Sequence, residues 1–137
     1  MANRMYDKGR NAFARGEIHW YSGTADVFRV YLVDGADYTP DTAADEFLSS
    51  VAAGGRVAYV ALTPSDPAAG VCDAADATLS AVTGDQSEYL VICKWTGDAA
   101  TSQLLVLIDT ATGLPVTPSG SDILITWDSG ANKIFKL

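Results

Sequence analysis

The chain has 137 residues, 48% of them apolar and 19% charged, with a net charge of −8 at pH 7. That length suits one domain with a core large enough to fold without a metal or disulfide staple. It holds no apolar stretch of the ~20 residues a membrane helix needs and no apolar leader followed by a small-residue cleavage site, so the expectation is a protein made and kept in a cytosol-like compartment.

The first 16 residues set four bases, Arg4, Lys8, Arg10 and Arg15, against one acid, Asp7. The remaining 121 are therefore strongly acidic. Such a body repels phosphate, and nucleic-acid binding by it is not expected. Residues 1–16 are polar with isolated apolar positions, Met5, Tyr6 and Phe13, and Gly9 and Gly16 break any long helix. This pattern predicts an N-terminal arm over 1–16 that becomes ordered against a partner, leaving 17–137 as the folded domain. A short helix packed on its own domain is the alternative.

From residue 17 the chain turns to short β-type runs rich in Val, Ile, Leu, Tyr and Trp. Eight strands are expected: Glu17–Tyr21, Val27–Val33, Arg56–Leu62, Thr78–Val82, Glu88–Trp95, Gln103–Ile108, Asp122–Trp127 and Lys133–Leu137. In Asp122–Trp127, Ile123, Ile125 and Trp127 share one face, whereas Leu104–Ile108 is apolar throughout and reads as buried on both faces. Thr39 to Leu48 carries helix-start chemistry instead. Thr39 can cap, Pro40 suits the first helical position, and Thr42 with Asp45 resembles a capping box. One short helix is expected near 40–51, with Phe47, Leu48 and Val51 facing the core and Gly54-Gly55 ending it. Connectors such as Thr63–Gly70 and Asp128-Ser129-Gly130 carry turn residues. Eight short strands at this spacing predict an all-β, single-domain β-sandwich, jelly-roll-like in topology.

Chemistry-bearing motifs are sparse. His19 is the one histidine and lies near no Ser- or Cys-bearing motif; no Gly-x-Ser-x-Gly elbow and no phosphate-cradling Gly-x-x-x-x-Gly-Lys occurs. The acids fall mostly in turns (Asp73, Asp76, Asp85, Asp98, Asp109, Asp122 and Asp128), where their local hydrogen bonding suffices to explain them. Glu17 and Glu88 are the strand-borne acids, and nothing pairs them. Asp73 to Asp76 lacks the alternating oxygens of a calcium loop and reads as a solvated acidic turn. Cys72 and Cys93 are not spaced as a metal clip; Cys93 reads as core, Cys72 as loop, and a disulfide is not demanded. The expectation is no enzyme, no cofactor and no metal. Trp20, Trp95 and Tyr89 could form a carbohydrate platform, although aromatic residues at strand ends are most often core edges.

The stretch Met5-Tyr6-Asp7-Lys8-Gly9-Arg10, the block Ile108-Asp109-Thr110-Ala111-Thr112-Gly113-Leu114-Pro115-Val116-Thr117-Pro118, and the ending Trp127-Asp128-Ser129-Gly130-Ala131-Asn132-Lys133-Ile134-Phe135 resemble a family of small tailed-bacteriophage structural proteins. Size, acidity and expected sandwich are similar to the jelly-roll capsid cement protein on the heads of Bordetella-type short-tailed phages. The resemblance implies a cement or decoration protein. It would lie on the capsid exterior of the virion, made in the host cytoplasm, as a dimer or trimer clamping major capsid subunits. A neck, tail or fibre-attachment protein and a virion carbohydrate-binding module are the alternatives. The candidate interface is taken from the charge split and the isolated apolar side chains: Arg4, Met5, Tyr6, Lys8, Arg10, Phe13, Arg15 and Trp20.

Overall fold

A computed structural model describes residues 3–137. The chain folds as a small all-β domain. The strands are β1 (Arg4–Met5), β2 (Val27–Val33), β3 (Arg56–Ala61), β4 (Val71–Cys72), β5 (Ala77–Leu79), β6 (Tyr89–Trp95), β7 (Gln103–Ile108), β8 (Ile123–Ile125) and β9 (Phe135–Lys136), with one α-helix, α1 (Asp7–Ala14). Five strands form an antiparallel sheet in the order β1-β7-β6-β2-β3. Facing it are two short ribbons, β4-β9 and β5-β8.

The sequence dictates this layering. Phe28, Val30, Leu32 and Ile92 point to one face of the sheet and meet Leu79, Ile125, Trp127, Phe135 and Trp20 from the ribbon side. Tyr31, Val33, Val91 and Cys93 point to the other face, which Tyr6, Tyr38, Leu48 and Val51 cover. β7 is buried along its whole length because both its faces are covered, as its unbroken apolar run predicts. Along β8 and the two residues after it the expected alternation holds: Ile125 and Trp127 are buried, Ile123 is half-buried and Leu124 is exposed. Cys72 and Cys93 are both free and buried; Cys72 lies on β4, not in a loop.

Two expectations are corrected. Residues 3–16 are not an arm but part of the fold. Arg4 and Met5 pair with Leu107 and Val106, the Tyr6 amide donates to the Leu105 carbonyl at 2.9 Å, and Tyr6 is fully buried. Tyr6 has enough apolar ring to gain more from its own core than from waiting for a partner. Gly9, expected to break a helix, lies inside α1. A Cβ there would sit 2.3 Å from the Leu104 carbonyl oxygen and 3.0 Å from the Leu105 Cα, so glycine lets α1 lie directly on β7.

The second correction is the helix near 40–51, which does not form. The Asp41 carboxylate accepts from the Ala43 and Ala44 amides, and the Asp45 carboxylate accepts from the Asp41 amide. These bonds close a turn and go no further. The next backbone groups are claimed elsewhere: the Leu104 amide donates to the Glu46 carbonyl, and the Leu48 amide to the Ser102 carbonyl, each at 2.8 Å. Pairing with β7 outweighs helix-start chemistry worth about 1 kcal/mol. Leu48 and Val51 still reach the core, from an extended segment with two 3-10 turns, Leu48–Ser50 and Ala53–Gly55.

The two edges of the large sheet therefore differ. On β7, Asn3–Tyr6 and Glu46–Leu48 occupy the outer backbone groups, and the Asn3 side chain accepts from the Asp109 and Thr110 amides. β3, at the far edge, pairs with β2 alone among the described residues.

Candidate functional site

The N-terminal surface consists of α1, β1 and the turn after α1. Arg4, Arg10 and Arg15 are exposed and Lys8 is half-buried. Arg10 pairs with Asp7 one helical turn earlier at 3.9 Å, and Arg15 with Glu17. Both pairs are solvent-exposed and weak, so the guanidinium groups stay available. Phe13 is half-buried, its ring 5.6 Å from that of Phe135, and Met5 packs on the core.

Tyr6 and Trp20 leave the candidate interface. The Tyr6 hydroxyl meets that of Tyr38 at 2.8 Å, and Tyr38 donates to Asp45 at 2.7 Å. Burial pushes both phenols above their ordinary range, and at Tyr38 the neighbouring Tyr6 and Asp45 push further. Trp20 is buried, donating its indole N–H to the Asp73 carbonyl at 2.9 Å and packing on Phe28 and Phe135. Of the eight sequence-derived candidates the fold leaves Arg4, Arg10 and Arg15 exposed and Lys8 and Phe13 half-buried on the N-terminal elements, packs Met5 against the core and buries Tyr6 and Trp20.

His19 has a partner that the sequence did not suggest. Its backbone amide and ring Nδ1 both reach Asp26 Oδ2, at 2.8 and 3.1 Å, and Asp26 Oδ1 lies 3.2 Å from the Lys94 ammonium. Burial opposes ionisation of Asp26, but the His19 amide and the Lys94 ammonium outweigh it and hold the carboxyl below its usual value. The group clips the chain before β2 onto β6.

The acids in turns act locally or across the ribbons. Asp76 accepts from the Trp127 amide, and Asp73 Oδ1 is buried with no hydrogen-bond partner among the described residues, so Asp73–Asp76 is not a merely solvated turn. Asp34, Asp37 and Asp85 bring carboxylate oxygens within 4.8 Å of one another, and Asp34 caps the turn that follows it by accepting from Ala36. A cleft of about 630 Å³ opens between β8 and the segment 108–116, walled by apolar residues such as Leu90, Leu114 and Trp127 and by polar ones such as Thr110, Asp128 and Lys133.

A cationic aromatic patch near the β3 edge was not anticipated. The Arg29 guanidinium is stacked between two rings, 4.1 Å from the centroid of Tyr59 and 4.0 Å from that of Trp95, and donates to the Tyr31 hydroxyl. Tyr59 is 54% exposed. Trp95 is thereby committed to a cation rather than free as a sugar platform, and Tyr89 meets Tyr38 edge to face. A lone Arg inside the apolar run Val27–Val33 is the signal that could have marked this patch. No known protein family matches the chain, and no curated protein matches it.

Proposed function

We propose that this is a non-catalytic structural protein of a phage virion, a cement protein that binds the head exterior and steadies contacts between major capsid subunits. One observation carries the reading: Arg4, Arg10 and Arg15 are exposed on β1, α1 and the turn after α1, while the rest of the chain is strongly acidic. A body of that charge is repelled by an acidic capsid surface, and the α1 face is the element that can dock there. The resemblance to small virion proteins and the compact all-β domain agree with this role. A clamp that binds only assembled subunits stabilises the assembled state by mass action, and many copies with repeated weak contacts hold by avidity.

The test uses phage heads stripped of the protein. Wild type should rebind in copies on the scale of the capsid lattice, and occupancy should fall as salt rises, because exposed cation contacts are screened. The Arg10→Gln/Arg15→Gln double variant should rebind poorly at physiological salt. Equal rebinding by the double variant would overturn α1 as the docking face. Rebinding confined to one vertex would place the protein at the neck or tail.

A further inference from the structure

We infer that the open β3 edge is a strand-addition site for an extended acidic segment of a partner protein. This goes beyond the docking role of α1 and rests on a different surface, at the opposite edge of the five-stranded sheet.

The edge supplies backbone groups. The Leu62 amide donates to the Phe28 carbonyl, which sets the antiparallel phase. In such a ladder, alternate residues face the partner strand, so Tyr59 and Ala61 turn their N–H and C=O groups away from β2. Among the described residues neither has a further backbone or side-chain hydrogen-bond partner. β5 lies near β3 from the ribbon layer but forms no ladder with it. Natural edges are usually guarded by charge, proline or cover. Val57-Ala58-Tyr59-Val60-Ala61 has neither charge nor proline, whereas the β7 edge is sealed.

Charge selects the occupant. Arg29 and Arg56 have no carboxylate within ion-pair distance among the described residues; their hydrogen bonds go to the Tyr31 hydroxyl and the Val51 carbonyl. Cross-strand partners share a face, so Arg29, opposite Ala61, and Arg56, opposite Val33, both stand on the outer sheet face, one at each end of β3. Asp34 and Asp37 lie against Gly55 at the start of β3, so an acidic strand is directed to the Tyr59–Ala61 half of the edge, beside Arg29; acids farther than about 8 Å are largely screened at physiological salt. A strand added beside β3 gains main-chain hydrogen bonds from the edge, and its alternate side chains stand beside Tyr59 and the Arg29 stack. A glutamate or aspartate at those positions finds an unpaired guanidinium.

The experiment titrates the full-length protein with a synthetic peptide of alternating valine and glutamate, and with its valine–lysine counterpart, following amide exchange of Tyr59 and Ala61. The glutamate peptide should bind and protect both amides, and the lysine peptide should not. Charge-assisted bonds lost in Arg29→Gln or Arg56→Gln should weaken binding roughly tenfold. Ala61→Pro should abolish it by removing an outward N–H; Ala61→Asp, which keeps the backbone intact and repels the acidic strand, is the second variant should the proline disturb the fold. Absence of binding, equal binding of the lysine peptide, or unchanged affinity in both arginine variants would overturn the proposal. So would protection of Tyr59 and Ala61 that rises with protein concentration alone, since the edge would then be taken by a second copy. Rebinding of wild type to stripped heads reads the α1 surface independently, so the two ideas fail separately.

Discussion

Gly9 concentrates the tension between local preference and packing into one residue. Alanine in its place would raise helix propensity by about 1 kcal/mol. Its Cβ, however, would fall 2.3 Å from a backbone oxygen of β7, and backbone cannot swing aside as a side chain can. Overpacking of this kind costs about 1–3 kcal/mol and here must also push α1 off the sheet. Gly9→Ala is therefore expected to destabilise the protein despite the better helix former, with a drop in Tm on the order of 5 °C by calorimetry. An unchanged or raised Tm would show that α1 does not lie on β7 this closely. The same reasoning explains Cys93: fully buried beneath Val51 and Leu48 in the outer core, its thiol is pushed up to about 12 by burial and acts as a small apolar side chain.

At the scale of elements, α1 and β1 close the fold. Deleting residues 2–16 removes the buried Tyr6 and Ala12 and strips the outer edge of β7. Loss of one buried aromatic costs about 3–5 kcal/mol, a large share of the roughly 5–15 kcal/mol that holds a domain together. The truncated chain should lose its cooperative thermal transition and its near-ultraviolet circular dichroism; a deletion variant that melts cooperatively near the wild-type Tm would restore the free-arm reading. Sequence was a good guide where burial is regular. Val27–Val33 and Gln103–Ile108 match their strands end to end, and β3 and β6 differ by a residue. It was a partial guide for Glu17–Tyr21, where Ile18 and Trp20 are buried and Glu17, His19 and Tyr21 exposed as alternation requires, but where no neighbouring strand completes a ladder. It failed where distant backbone decides the outcome. Nothing local says that Glu46 and Leu48 will pair with β7, or that Met5 and Tyr6 belong to this core and not to another protein's. The candidate surface shows the same division, since the arginines chosen for their charge are exposed while Tyr6 and Trp20 are buried.

Across the whole molecule, ionisable groups buried neutral set the alkaline limit of stability. Tyr6 and Tyr38 are raised above their ordinary value of 10.0, chiefly by burial. Cys72 rises to about 11 and Cys93 to about 12 from an ordinary 9.0, again by burial. In the unfolded chain the thiols release protons from about pH 9 and the phenols from about pH 10, while the folded protein retains them. Above pH 9 the unfolded state therefore binds fewer protons, and stability falls with rising pH by up to about 1.4 kcal/mol per unit for each such group. Below pH 9 both states hold these protons and the groups contribute no slope. Asp26 behaves oppositely: its lowered value adds stability that is present above the ordinary 3.8 and is lost as pH falls through its folded value. Urea midpoints measured across the pH range should accordingly stay level from neutrality to about pH 9 and then decline steeply. In Cys93→Ala the decline should be shallower, because one of the groups that must ionise on unfolding is gone. A midpoint that stays level through about pH 11 in the wild-type protein would mean that these side chains already meet water in the native state, and that the two-faced core around the sheet is not closed.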